Sequence, residues 1–322
     1  MRRAKFLGND KIEIEEIDRP YPSQNERLVR VQSCALCGSE LKQWRNGWPV
    51  TPGHEIFGTI ENPGAFDNNR RVVVFIPLFC GSCRHCHAGK PHLCIDKCLI
   101  GWQRDGGYAD YLIANEKNLL PVPDNIEDDL APLLLDTIGT TAHGIRLAQK
   151  ILNHGRALVL GAGPIGLGSI LVMHSKNINS IDVIDPVSYR CEFAKSLGAH
   201  PVLPDEALSK GYDLIIEATG KDSARQLALE AILPEGVIVQ IGESNHWSIN
   251  ENRSIRLKDF YLLRSFYFNT NEYTDNIKIL LDYKNQFIRF IDDKKELSEI
   301  EDLFSKFASG DRLKPIIKMH NI

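Results

Sequence analysis

One stretch of the chain, Arg156 to Asp185, restricts the possible folds more than any other. Arg156-Ala-Leu-Val-Leu160 reads as a short buried strand, and Gly161-Ala-Gly163-Pro164-Ile165-Gly166 follows with G-x-G-x-x-G spacing. The pattern predicts a helix from there to about Ser175. Gly161 allows a tight turn, Gly163 lets a pyrophosphate approach the backbone, and Gly166 permits close packing of helix on strand. Phosphates then sit at the helix N-terminus, with Pro164 and Ile165 in its first turn. A second strand, Ser180-Ile-Asp-Val-Ile184, ends in Asp185, which lies 24 residues after Gly161. A carboxylate there suits the ribose hydroxyls of NAD and repels the extra phosphate of NADP.

The texture around this stretch divides the chain. From about Thr141 strands alternate with helices, with strands expected at 156–160, 181–185, 213–217, 236–241 and about 261–268. Such alternation implies a doubly wound parallel α/β sheet of the Rossmann kind. Thr219 and Gly220, at the C-terminal end of the strand Tyr212 to Glu217, are expected beside the cofactor. Before Thr141 the segments are short and broken by Gly, Pro and Asn, which predicts a mostly β domain. Strands are expected from Glu26 to Gln32, Ile56 to Glu61, Arg71 to Ile76 and Tyr108 to Ile113. After Asn269 come two charged helical segments, Asp275 to Tyr283 and Leu297 to Ser309. The remaining residues are too few for a third core, so this tail is expected to return to the first domain. The resulting division is 1–138 with 270–322, and 139–269.

Eight cysteines bear on metal and compartment. Cys80, Cys83, Cys86 and Cys94 have x2, x2 and x7 spacings, and four thiolates close a tetrahedron around zinc with no position left for substrate. This zinc is structural. His85, His87 and His92 share the loop but are not needed as ligands, and Cys34, Cys98 and Cys191 are expected as packing or surface thiols. With no apolar run after Met1-Arg-Arg-Ala-Lys5, a reducing cytoplasmic location is expected. Net charge is −4, with 38 basic against 42 acidic residues, so no basic footprint points to nucleic acid. No apolar stretch is long enough to span a membrane.

Two fragments remain, Cys37-Gly-Ser39-Glu40 and Gly53-His54-Glu55, with Trp44 and Trp48 between them. Taken alone, a cysteine and a histidine 17 residues apart fit a packed core as well as a metal site. Together with the cysteine lobe, Gly106-Gly-Tyr-Ala-Asp-Tyr111, Gly161 to Gly166 and Asp213 to Gly220, however, they resemble the zinc-dependent medium-chain alcohol and polyol dehydrogenases over nearly the whole chain.

The resemblance implies a GroES-like catalytic domain carrying the zinc lobe, a second and catalytic zinc, and NAD. Cys37 and His54 fill two ligand places, and Asp136 stands where the family has its third, a Cys or carboxylate. Glu55 is either a neighbour of the ligands or an alternative fourth ligand. Ser39 is placed to take the proton of the substrate hydroxyl. Thr140 resembles the threonine that sits against the nicotinamide, and Arg190 falls among the cofactor-binding positions. Lys42 stands where many relatives have a proton-relaying histidine, and serves either that relay or as a solvated amine. Glu40 replaces the usual aspartate.

A carboxylate ligand and the Cys-Gly-Ser-acid motif resemble the sorbitol, threonine and sugar dehydrogenase branch. The expected reaction is NAD-dependent oxidation of a secondary hydroxyl on a polyol, sugar or cyclitol. Trp44, Trp48, Phe79 and Trp102 are candidates to stack on a sugar ring, and Arg45, Gln103, Arg104 and Asp105 to bind its hydroxyls. The edge strand Tyr261 to Asn269 is paired across a two-fold axis in relatives, implying a homodimer or homotetramer. The competing readings are a zinc-independent quinone or enone reductase and a non-catalytic NAD- and zinc-binding sensor or scaffold.

Overall fold

A computed structural model describes residues 1–61, 68–152, 155–244 and 246–319. The chain divides into two compact units. One comprises Met1–Leu135, Asn269–Tyr273 and Phe287–Ile322, the other Asp136–Phe268 and Thr274–Gln286. Among the described residues no helix is long and apolar enough to cross a membrane.

The first unit is organised around the strand Glu26–Ala35, whose alternation of apolar and polar residues buries one face. It pairs antiparallel with Glu55–Ile60, Tyr111–Asn115 and Ile316–Lys318. The sheet continues from Glu55–Ile60 through Arg71–Val74 to Leu119–Pro121, and from Ile316–Lys318 to Lys294–Glu296. Every residue of Glu55–Ile60 is buried, as a central strand covered on both faces requires. A separate hairpin joins Arg2–Gly8 to Lys11–Glu16. Its tip, Asn9 and Asp10, has φ of 53° and 60°, the left-handed conformation that Asn and Asp tolerate in tight hairpin turns.

The second unit is a six-stranded parallel sheet. In spatial order its strands are His200–Pro201, Ile181–Ile184, Ala157–Leu160, Tyr212–Glu217, Ile232–Gln240 and Tyr261–Arg264. Numbered along the chain this is 3-2-1-4-5-6, the doubly wound order in which ligands bind at the carboxyl ends of strands 1 and 4. The helix Pro164–Ser175 is apolar on nearly all sides, and Gly166 to Met173 are buried accordingly. The short strand His200–Pro201 lay outside the expected set, because two residues carry no periodicity.

Several boundaries differ from the sequence reading, among them the division between the units, which falls after Leu135 rather than 138, and the start of the strand expected from Tyr108, which begins at Tyr111. The edge strand ends at Arg264 rather than Asn269. Thr274–Gln286 belongs to the second unit rather than returning with the rest of the tail. The reason is electrostatic as well as apolar. On the helix Tyr273–Asp282, Asp275 bonds to Arg146 at 2.5 Å and Lys176 at 2.9 Å, both of the second unit.

Candidate active site and metal centres

The cysteine lobe is built from a short helix, Arg84–His87, and the turn Pro91–Leu93. It brings the sulfurs of Cys80, Cys83, Cys86 and Cys94 within 4.8 Å of one another. The closer pairs lie at 3.5 Å (Cys83–Cys86 and Cys80–Cys94), 3.9 Å (Cys83–Cys94) and 4.0 Å (Cys80–Cys86). A tetrahedron with Zn–S bonds of about 2.3 Å requires sulfurs about 3.8 Å apart, so this cage fits zinc. Backbone N–H groups of Ser82 and Cys83 point at the Cys80 sulfur and pull its thiol down to about 6, which favours the thiolate a metal needs.

The second donor group lies in the first unit, at the ends of its two central strands. Cys37 follows Glu26–Ala35 by two residues, and His54 directly precedes Glu55–Ile60. Ligand atoms of Cys37, His54 and Glu55 lie within 4.8 Å of one another. Ser39 hydroxyl is 3.4 Å from the Cys37 sulfur. Beneath them Glu40 is fully buried, with Oε1 2.6 Å from His54 Nδ1. The two buried atoms are not aligned as a hydrogen bond, but the contact sets a carboxylate against Nδ1, and the tautomer protonated there would leave the Nε2 lone pair for a metal. The other oxygen of Glu40 accepts from the Tyr108 hydroxyl at 2.5 Å and from the Cys37 N–H at 3.1 Å.

Glu55 and Lys314 form an ion pair, 0% and 1% exposed, and the ammonium also donates to the Leu36 carbonyl at 3.0 Å. Nothing local in Lys314-Pro-Ile-Ile-Lys318 marked this lysine, except that a charge stands at the start of an apolar strand. Besides the Cys37 sulfur, the cluster brings the buried carboxylates of Glu40 and Glu55 together with one ammonium, that of Lys314. Thiol, imidazole and carboxylate donors gathered in this way suit a divalent cation such as zinc. The nearby Cys34 is a different case. Burial pushes its thiol well up, so it stays a neutral packing group, as expected.

Several candidates for substrate contact have partners within the protein. Trp44 is 5% exposed and packs on Phe304, so it belongs to the core. Phe79 lies against Phe75 and beneath the Lys117 ammonium. Gln103 accepts from the Leu99 N–H and Asp105 from the Thr51 N–H, so both shape turns. Trp48 and Trp102 remain half-exposed, their rings 5.7 Å apart edge to face, and Trp102 stands 6.1 Å from the His54 ring. The Lys42 ammonium lies 4.5 Å from the centre of the Trp102 ring.

In the second unit the glycine-rich turn is formed as its spacing requires. A Cβ on Gly166 would stand 1.7 Å from the Gly161 carbonyl oxygen, so no other residue fits. A Cβ on Gly163 would meet nothing within 4 Å among the described residues, so the turn is open at the helix N-terminus. Asp185 accepts from the Ala162 N–H at 2.7 Å and the Val187 N–H at 2.8 Å, fixing it beside the turn. Thr219 and Gly220 are held by Glu217, whose buried carboxylate accepts both backbone N–H groups at 2.7 and 2.9 Å. The role of Glu217 was not visible in the sequence, although its acidic side chain in an apolar strand was. Arg190 turns its guanidinium towards the Tyr189 ring, 5.8 Å away. Asp136 and Thr140 bound a single π-helical turn at the start of this unit, and the Thr140 hydroxyl donates to Asp136 at 3.1 Å.

Fold and donor groups together define an oxidoreductase that pairs a dinucleotide with zinc. Comparison with known proteins agrees. Residues 23–124 match the alcohol dehydrogenase GroES-like domain, and residues 134–319 the glucose dehydrogenase C-terminus. The chain belongs to the zinc-dependent medium-chain alcohol and polyol dehydrogenase family, whose members use NAD and zinc. It is 29% identical over 262 residues to the L-threonine 3-dehydrogenase of Chromobacterium violaceum, covering 74% of this chain and 76% of that one. Among solved structures it resembles a short chain alcohol dehydrogenase of Escherichia coli CFT073 in complex with NADH, at 26% identity and a TM-score of 0.88, covering 99% of each chain. It also resembles an alcohol dehydrogenase from Thermus sp. ATN1 at 25% identity and a TM-score of 0.89, covering 99% of this chain and 100% of that one.

Proposed function

We propose that the protein oxidises a secondary hydroxyl of a polyol, sugar or cyclitol with NAD, and reduces the corresponding ketone in reverse. The observation that carries this reading is the convergence of the Cys37, His54 and Glu55 donor atoms within 4.8 Å of one another, with Glu40 set against His54. Asp136, one peptide bond beyond the buried Leu135, is proposed as the third ligand beside Cys37 and His54. The hydrogen bond it accepts from Thr140, in a π-helical turn of the kind common at functional sites, supports that role.

Cys37, His54 and Asp136 would hold a zinc ion here, whose Lewis acidity would favour ionisation of a substrate hydroxyl, and NAD would supply the hydride acceptor. The chain's own residues do the rest. His54, held by Glu40, and Cys37 keep the donor geometry rigid. Ser39 takes the hydroxyl proton, and Lys42 is the candidate to pass it on. Trp48 and Trp102 offer apolar faces to the C–H side of a polyol. The name of the L-threonine 3-dehydrogenase relative also specifies a secondary hydroxyl, which favours this class over primary alcohols. A second copy of the chain is proposed to pair along Tyr261–Arg264, the last strand of its sheet.

The test is NADH formation across a panel of polyols, sugars, cyclitols and primary alcohols, together with metal analysis. Two zinc atoms per chain and turnover on secondary hydroxyls are expected. Cys37→Ser is expected to lose one zinc and all turnover while keeping its circular dichroism. Activity confined to long-chain primary alcohols, or a fully active Cys37→Ser, would overturn the reading.

A further inference from the structure

The segment Gly106-Gly-Tyr-Ala-Asp-Tyr111 has no part in the chemistry above, yet it is tied tightly to the strand end that carries His54. Gly106 N–H donates to the Thr51 carbonyl at 2.7 Å, Gly107 to Gly53 at 2.8 Å and Tyr108 to Pro52 at 3.1 Å. The approach is close enough that a Cβ on Gly106 would stand 2.2 Å from the Gly53 carbonyl oxygen. The two strips of backbone are thus laid side by side, and Tyr108 is delivered beneath the metal site. Its ring is wholly buried, stacked 6.0 Å from Phe6 and edge-on 5.7 Å from Phe304. A ring held on two sides has one place for its hydroxyl, and that place is 2.5 Å from Glu40 Oε2.

Glu40 is the junction. One oxygen faces His54 Nδ1, while the other takes the Tyr108 hydroxyl and the Cys37 N–H. A buried carboxylate with those donors cannot rotate without stranding one of them, at the desolvation cost of an unpaired polar group. Glutamate also has one more torsion than the family's aspartate, so it needs an additional anchor to present the same oxygen to the imidazole.

We propose that Tyr108 is a positioning residue for the open metal site: by anchoring Glu40 it sets which nitrogen of His54 faces the metal and how firmly. This rests on the reading of Cys37 and His54 as zinc ligands. Loss of the hydroxyl leaves the donors in place but frees the carboxylate that orients one of them.

The experiment uses the full chain, wild type and Tyr108→Phe, loaded with zinc or with cobalt(II). Resistance of the second metal to a chelator is expected to fall about ten- to a hundredfold in Tyr108→Phe, as for other groups that orient metal-bound histidines, while the four-cysteine metal is retained. The visible bands of cobalt at the open site are expected to shift, which mere loss of stability would not cause. In a Glu40→Gln background, Tyr108→Phe is expected to add nothing further, because it acts through that carboxylate. Tyr212→Phe, which removes a buried hydroxyl bonded to Asp182 in the second unit, is the control and is expected to leave metal binding unchanged. Wild-type chelator resistance and an unshifted cobalt spectrum in Tyr108→Phe would overturn the proposal alone. A wild-type protein holding a single metal per chain would overturn both it and the reading beneath it.

Discussion

Lys314 shows how much one side chain decides here. Its ammonium and the Glu55 carboxylate are both sealed from water. Breaking such a pair from one side leaves an uncompensated buried charge and costs about 3–5 kcal/mol. Lys314→Met is therefore expected to lower the urea midpoint of the protein by that equivalent, and a loss below about 0.5 kcal/mol, typical of surface substitutions, would contradict the buried pairing. The sequence could not reveal this partner, since the two residues are 259 positions apart and meet only when their strands enter one sheet. The same holds for Tyr108 and Glu40, 68 positions apart. Cys80, Cys83, Cys86 and Cys94 were legible for the opposite reason. Their spacing is local, and few structures other than a metal cage tolerate four thiols so close together.

Among elements, the turn from Ala157–Leu160 into Pro164–Ser175 was the most readable, because its steric demands are written into three glycines. Gly166→Ala tests them directly. A methyl group 1.7 Å from a carbonyl oxygen must push the helix off the strand, and NADH affinity by fluorescence titration is expected to fall at least about tenfold. Strand ends were read less well, since the side-chain alternation that reveals a strand says little about where its hydrogen bonding stops. The helix Tyr273–Asp282 was found in its place, but its packing partner was not, because one carboxylate on it decides the matter. Burial alone would raise the Asp275 pKa, yet the hydrogen bonds from Arg146 and Lys176 hold it below the usual carboxylate range. A depressed pKa contributes stability above the unfolded value, and that contribution is lost as pH falls through about 4 and below. Asp275→Asn is expected to flatten this part of the stability profile in urea titrations between about pH 5 and 3. An unchanged slope would mean that the pair contributes nothing there.

At the scale of the molecule, the doubly wound sheet exposes one side of its last strand. Tyr261 and Leu262 on that strand are 48% and 38% exposed, and nearby Leu257 is 70% exposed. An edge of this kind is a template for pairing with another copy, and charge is what natural edges use to prevent it. Leu262→Asp is expected to shift the protein to monomer in sedimentation velocity; a wild-type chain that is already monomeric would remove the pairing proposed above. The first unit has a different global property, in that its sheet is assembled from both ends of the sequence. The strand Ile316–Lys318 lies directly against Glu26–Ala35, and Lys314 just before it is the counter-charge to Glu55. During translation, Glu55 is made some 259 residues before that ammonium exists. A nascent chain therefore carries the Glu55 carboxylate well before its counter-charge, and the buried pair forms only once the strand Ile316–Lys318 has joined the sheet.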